Sequence, residues 1–77
     1  MDTKQKIGMV IRKLRMDKSI SQESLALQAD IDRTYISDIE KGERNISVEI
    51  LEKLANTLEI SISDLFKQVE NYGKQCK

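Results

Sequence analysis

The chain has 77 residues, of which 39% are hydrophobic and 34% are charged, and its formal net charge is zero. This composition is typical of one small globular domain and is too apolar for a disordered chain. Histidine is absent and Cys76 is the only cysteine, which excludes an intrachain disulfide and a cysteine-based metal site and removes the commonest general base. We therefore expect no enzyme, metal or cofactor. No apolar run is long enough for a membrane span or a secretory signal, which predicts a cytoplasmic protein.

The first half of the chain predicts two helices. In the first, about residues 3–17, apolar residues recur with helical spacing on one face, namely Ile7, Val10, Ile11 and Leu14. The second, about residues 22–28, follows Ser21, whose hydroxyl can accept a hydrogen bond from the first turn. Its buried face is predicted to contain Leu25, Ala26 and Ala29.

A third helix is predicted for about residues 33–41, after a turn that contains Asp30. Asp32 is its predicted N-cap. Gly42 follows its last residues and can take the positive φ that ends many helices. Ile36 and Ile39 are three residues apart, so we expect both to face the core.

Two more helices complete the predicted all-α fold. Ser47 is the predicted N-cap of a fourth helix, about residues 48–58, whose inner face contains Val48, Leu51, Leu54, Ala55 and Leu58. A fifth helix, about residues 62–69, follows Ser61. We predict a single domain over residues 1–69, made of five short helices around one core, and a polar C-terminal tail over residues 70–77.

The segment from residue 21 to residue 42 reads SQESLALQADIDRTYISDIEKG, two short helices joined by a tight turn. It resembles the helix-turn-helix of the Cro/CI-type (XRE) family, and the likeness continues through RNISVEILEKLANTLEISISDLF to cover about residues 11–66. The segment DRTYIS with the later Glu and Arg-Asn is especially similar to controller proteins of restriction–modification systems, which are small stand-alone dimers. The resemblance implies a compact five-helix, lambda-repressor-like DNA-binding domain with its motif at residues 22–41.

The sequence departs from the family pattern at two positions. Asp30 stands in the inter-helix turn where the family usually has glycine, and an Asp in the left-handed region carries a strain of roughly 1 kcal/mol. Ile46 stands where many relatives have proline. Neither departure removes a side chain that is expected at DNA.

The resemblance places the third helix in a DNA major groove, where its first turns meet base edges. Arg33 is the first choice for base readout because a guanidinium can donate two hydrogen bonds to guanine. Thr34, Tyr35 and Ser37 follow on the outer face as further base-reading candidates. Alternatively, the Thr34 and Ser37 hydroxyls are ordinary helix surface, and Tyr35 is a partly buried ring with its hydroxyl at phosphate or a plain core ring. Asp38 faces the same way but would repel phosphate, so it is not included.

Four residues are predicted to contact the DNA backbone. Gln22 starts the second helix, where a positive helix end favours phosphate. Arg44 and Asn45 follow the third helix and are similarly placed, although all three fit ordinary surface polarity as well. The resemblance implies an internal ion pair between Arg15 and Glu40, with Arg15 also a candidate for phosphate.

The dimer surface is predicted from apolar residues that exceed what one small core needs, because such exposed patches usually mark interfaces. These residues are Ile46, Ile62, Phe66 and Val69. Alternatively, the fifth helix only covers the core of the monomer.

We therefore expect a regulator of transcription that binds double-stranded DNA sequence-specifically, as a homodimer on a roughly palindromic operator, and controls a restriction–modification operon. RNA polymerase is a further partner to consider, and no small-molecule ligand is expected. The alternative is an antitoxin-type module that neutralises an enzyme partner and autoregulates its operon. Residues 1–18 have a net charge of +4 in a chain that is neutral overall, so DNA binding requires a local basic face.

Overall fold

The computed structural model describes residues 1–72, which form five α-helices. These are α1 (Thr3–Asp17), α2 (Gln22–Ala29), α3 (Arg33–Glu40), α4 (Val48–Thr57) and α5 (Ile62–Asn71). No strand occurs in the described residues, and the all-α prediction is confirmed. None of the five helices qualifies as a membrane span. Cys76 and most of the predicted tail lie outside the described residues.

The last helix ends later than predicted. α5 continues through Glu70 to Asn71, so the first two residues of the predicted polar tail are helical. Tyr72 follows directly, and its half-buried ring packs against the core. Val69 and Tyr72 are three residues apart, and both contact the core. These apolar contacts stabilise the extra helical turn. The sequence does not indicate them, because the neighbours of Tyr72 are polar.

The core forms where the apolar faces of the five helices meet. α1 packs against α3 and α5, α2 packs against α3 and α4, and α4 packs against α5. The side chains that are fully buried at its centre come from all five helices: Val10, Ile11, Leu25, Ile36, Ile39, Leu54 and Leu65. Burying a side chain of this size stabilises the fold by roughly 1.5–3 kcal/mol.

Gly8 sets the distance between α1 and α3. A Cβ atom at this position would lie 2.2 Å from the carbonyl oxygen of Ile39 and 3.1 Å from that of Glu40. Both are backbone atoms, so the clash cannot be relieved by turning a side chain. Only glycine therefore allows α3 to lie this close to α1.

Four helices, α1 to α4, end in the same hydrogen-bonded turn. In each turn, a residue just past the helix has a left-handed backbone conformation. The left-handed residues are Ser19, Asp30, Gly42 and Glu59, with φ of 58°, 57°, 75° and 59°. At Asp30 the N–H donates to Leu27 O and the next N–H, of Ile31, donates to Ala26 O, the two bonds of a Schellman motif. Asp30 thus adopts the left-handed conformation expected in this turn, and Gly42 takes the expected positive φ.

The N-caps agree with the sequence at three helices and differ at one. The hydroxyls of Ser21, Ser47 and Ser61 each accept a hydrogen bond from the backbone N–H three residues on, at 3.0, 3.2 and 3.0 Å. Asp32 occupies the N-cap position of α3 with extended backbone, but its side chain makes no capping hydrogen bond. Its carboxylate is exposed and is therefore solvated by water without the cap bond.

Candidate nucleic-acid interface

The turn between α2 and α3 holds the two helices of the motif in a fixed arrangement. Ile36 and Ile39 lie on the inner face of α3, which packs against the core, and neither side chain is exposed. The opposite face therefore faces solvent. It carries the four predicted base-reading residues: Arg33 and Thr34 are exposed, and Tyr35 and Ser37 are half-buried. The fold brings all four onto one accessible face of a helix whose position is set by the core.

A buried network anchors α3 from the other side. Arg15 Nε donates to Glu40 Oε2 at 2.7 Å and Arg15 Nη2 donates to Glu40 Oε1 at 3.0 Å, while Arg15 Nη1 donates to the carbonyl oxygen of Ile20 at 2.8 Å. The Glu40 side chain is 4% exposed and that of Arg15 is 13% exposed. The hydrogen bonds to Glu40 raise the pKa of the Arg15 guanidinium above its ordinary value, so its charge is permanent. The ion pair implied by the family resemblance is thus present, and it ties α1 to the end of α3.

Gln22 belongs to the same network. Its Nε2 donates to Glu40 Oε1 at 3.1 Å, which orients the amide and leaves one N–H of that group uncommitted. The backbone N–H at the start of α2 and this remaining amide hydrogen are the donors that Gln22 can offer to an anion. The side-chain oxygen is an acceptor and would repel phosphate.

A shallow depression of about 240 Å³ lies where α1, α2 and α3 meet. Its lining includes Ser37 from the outer face of α3 and two exposed cations, Arg12 and Lys41. In the sequence, Arg12 contributes only to the net charge of +4 over residues 1–18, and Lys41 was not singled out. The signal that identifies Lys41 is its place one turn after Ser37 on the same side of a helix.

A second cluster joins one side of α3 to the segment that follows the helix. The guanidinium of Arg44 lies over the ring of Tyr35, with its Cζ 4.5 Å from the ring centroid, and Arg44 Nη2 donates to Asp38 Oδ2 at 2.9 Å. The Tyr35 hydroxyl donates to the carbonyl oxygen of Asn45 at 3.3 Å. Tyr35 therefore supports the predicted phosphate-binding pair Arg44 and Asn45. Its ring is partly buried against the core, which agrees with the partly buried alternative, and its hydroxyl bonds to backbone.

The predicted dimer residues divide into two groups. Phe66 is 39% exposed on α5, and Ile46 and Ile62 are half-buried, so these three have apolar surface to offer a partner. Val69 differs from the prediction, since it is 5% exposed and belongs to the core of the single chain. Its position one turn after Leu65 on α5 turns it inward.

The side chains exposed around α3 limit the chemistry that this surface can perform. Among residues 1–72, no three His, Cys, Asp or Glu side chains are grouped as a metal site requires. The accessible features are hydroxyls, guanidiniums and an aromatic ring on one helix face, with a helix N-terminus and cations beside it. Such an arrangement can bind a polyanion and donate hydrogen bonds to base edges. Fold and surface together define a helix-turn-helix domain of the DNA-binding type.

Comparison with known proteins identifies the family. The sequence profile of the helix-turn-helix family matches residues 11–65. The chain is 49% identical over 70 residues to the control protein C.MunI of Mycoplasma sp., covering 90% of this chain and 95% of that protein. It is 48% identical over 59 residues to the control protein C.BamHI of Bacillus amyloliquefaciens, covering 75% and 73% of the two chains. The chain thus belongs to the helix-turn-helix family and, within it, to the controller proteins of restriction–modification systems.

A solved structure extends this result to three dimensions. The restriction–modification controller protein C.Esp1396I, crystallised as a tetramer in complex with its natural 35 base-pair operator, superposes with a TM-score of 0.85 at 37% identity. The match covers 92% of this chain and 93% of that one. The family is one of DNA-binding regulators and is not an enzyme family.

Proposed function

We propose that this protein is a sequence-specific, double-stranded-DNA-binding regulator of transcription that controls a restriction–modification operon. The observation that carries the proposal is the outer face of α3, where Arg33, Thr34, Tyr35 and Ser37 are presented together by a helix fixed to the core. The operator complex of C.Esp1396I supports it, because that relative shares the fold over most of both chains. A cytoplasmic location is part of the proposal, since the operon's DNA lies there.

Two kinds of DNA contact contribute to binding in this proposal. Arg33 and its neighbours read base edges, and one bidentate guanidinium–guanine pair gives roughly 1–3 kcal/mol of discrimination, or about 5- to 150-fold in affinity. Gln22, Arg44 and Asn45 set the register on the phosphates, which adds affinity without sequence information. We assign Arg15 to the internal network, because three of its N–H groups already donate to protein oxygens.

The test is binding to the DNA upstream of the gene, with the site located by footprinting and a scrambled fragment of equal length for comparison. We expect Arg33→Ala to lower operator affinity about 5- to 150-fold and to leave binding to scrambled DNA nearly unchanged. Lys53→Ala is the matched control, because it removes an exposed cation from α4 instead of α3. The logarithm of the wild-type binding constant should fall linearly with the logarithm of salt concentration. Equal wild-type affinity for both fragments, or no salt dependence, would refute the proposal.

We further propose that the protein binds as a dimer through the exposed side of α5, using Phe66 and Ile62, with Ile46 from the loop before α4 as a further apolar contact. A dimer places two α3 helices about 34 Å apart on one face of a roughly two-fold symmetric operator. Phe66→Ala should shift sedimentation from dimer towards monomer at micromolar concentration. Met16→Ala removes an exposed apolar side chain from α1 and should leave the dimer intact. A wild-type protein that sediments only as monomer contradicts this surface.

The alternative function, a module that neutralises an enzyme partner, is not favoured. The relatives with the highest identities described above are control proteins. Contact with RNA polymerase is a natural extension of the proposal for a regulator that activates transcription. A pull-down with the purified polymerase on operator DNA tests that contact separately.

A further inference from the structure

The cations of this chain divide into those that are paired with a carboxylate and those that are not. Among residues 1–72, the paired cations are Lys13, Arg15, Lys18 and Arg44. Arg12 and Lys41 take part in none of these ion pairs, and both side chains are exposed. In a chain without net charge, unpaired cations beside α3 are the positive charges that remain available to a polyanion.

Arg12 and Lys41 come from different elements and line the same depression, of about 240 Å³, where α1, α2 and α3 meet. Arg12 belongs to α1, and Lys41 is the C-cap of α3, one turn after Ser37. The backbone N–H of Lys41 donates to Ser37 O at 3.1 Å, which fixes the point from which its side chain extends. Two charges of the same sign beside one depression repel each other, so an anion between them is favoured.

The one carboxylate in the lining does not cancel these two charges. Glu40 accepts two hydrogen bonds from Arg15 and one from Gln22, and its side chain is buried. Its charge is therefore balanced by the Arg15 guanidinium, which belongs to the same lining. The depression keeps the positive charges of Arg12 and Lys41.

The depression lies between two of the DNA contacts proposed above. Ser37 lines it from α3 and is a proposed base reader, while Gln22 lines it from the first turn of α2 and is a proposed phosphate contact. A duplex that meets both residues passes over the depression. The phosphate that reaches the uncommitted amide hydrogen of Gln22 is then beside the cations from α1 and from the end of α3.

We infer that Arg12 and Lys41 together bind one phosphate of the DNA backbone, with the uncommitted amide hydrogen of Gln22 as a further donor. The inference rests on the proposed function and adds two residues to it. A phosphate carries no base identity, so this site adds affinity on any sequence and leaves specificity to the outer face of α3. It is the local basic face that a chain of zero net charge needs to bind DNA.

The experiment measures binding against salt concentration for wild type, Arg12→Gln, Lys41→Gln and the double variant, on the operator and on a scrambled fragment of equal length. Glutamine keeps much of each side-chain stem, and circular dichroism checks that the fold is retained. Each single variant should lower affinity about 1.5- to 5-fold, by the same factor on both fragments. The double variant should reduce the log–log salt slope by about 0.9, because one neutralised phosphate is lost.

Two control variants separate this site from general charge. Lys41→Arg keeps the positive charge and should keep the wild-type slope. Lys53→Gln removes an exposed cation from α4 and should also leave the slope unchanged. An equal loss of slope in Lys53→Gln would overturn the inference, because the effect would then depend on total charge.

Three further results overturn the inference. An unchanged slope in the double variant means that neither residue meets a phosphate. A reduction near 1.8 means that the two residues bind two separate phosphates. A loss of affinity confined to the operator assigns them to base readout. A wild type with equal affinity for both fragments refutes the proposed function alone, since the slopes still report whether this site binds phosphate.

Discussion

Removing the carboxylate of Glu40 is the sharpest test of how the reading helix is held. In Glu40→Ala the Arg15 guanidinium stays buried but loses two of its three hydrogen bonds. It keeps only the bond to the carbonyl oxygen of Ile20. Removing one partner of a buried ion pair destabilises a protein by about 3–5 kcal/mol. A small domain has a total stability of about 5–15 kcal/mol, so the variant should lose a large part of its stability. At about 4–8 °C per kcal/mol for a domain of this size, the melting temperature should fall by at least about 12 °C.

The assays are urea unfolding and thermal unfolding followed by circular dichroism at a fixed protein concentration, because the proposed dimerisation would make apparent stability concentration-dependent. Asp17→Asn is the matched control: its pair with Lys13 spans 4.0 Å with both side chains 63% exposed, and its loss should cost under about 1 kcal/mol. Replacing both buried partners, Arg15→Met with Glu40→Leu, should recover most of the stability. A loss below about 1 kcal/mol in Glu40→Ala would show that the buried network does not hold α3, and would refute this reasoning.

Two glycine substitutions test the backbone geometry around α3. Gly8→Ala should destabilise the fold by about 1–3 kcal/mol, although alanine has the better helix propensity, because the new Cβ would meet the backbone oxygen of Ile39 at 2.2 Å. A rise in melting temperature would contradict the close approach of α1 and α3. Gly42→Ala should lower the free energy of unfolding in urea by about 1–2 kcal/mol, since φ is +75° and the new Cβ would lie 2.9 Å from the Gln5 Cα. Unchanged stability would show that the turn relaxes without strain.

The helices and most of the core could be predicted because their signals are local, but Val48, predicted for the inner face of α4, is 76% exposed. The apolar periodicity and the Ser21, Ser47 and Ser61 caps predicted helix positions to within about two residues of those observed. Asp30 was recognised as a left-handed residue because the resemblance to the helix-turn-helix placed a turn there. In each case the residues that decide the outcome are close neighbours in the sequence.

The rest depends on contacts between segments that the sequence separates. Gly8 gives no sign in the sequence that α3 lies against it, and a lone glycine in a helical pattern indicates little by itself. The end of α5 was misplaced because Tyr72 gains its contacts from the packed core. The Asp38–Arg44 pair was missed because each residue was judged separately, one as a repulsive charge and the other as a phosphate ligand. Which acid and base meet depends on the turn at Gly42 between them.

The close approach at Gly8 has a mechanical consequence. α1 contacts both α3, which reads DNA in the proposed function, and α5, which carries the proposed dimer surface. Within residues 1–72 these three helices form one packed unit, so no hinge lies between the reading element and the pairing element. In the proposed dimer, the separation of the two reading helices is then set by this packing together with the dimer interface. One extra base pair between half-sites turns them by roughly 34–36° relative to each other, and the strain of that mismatch must fall on the DNA.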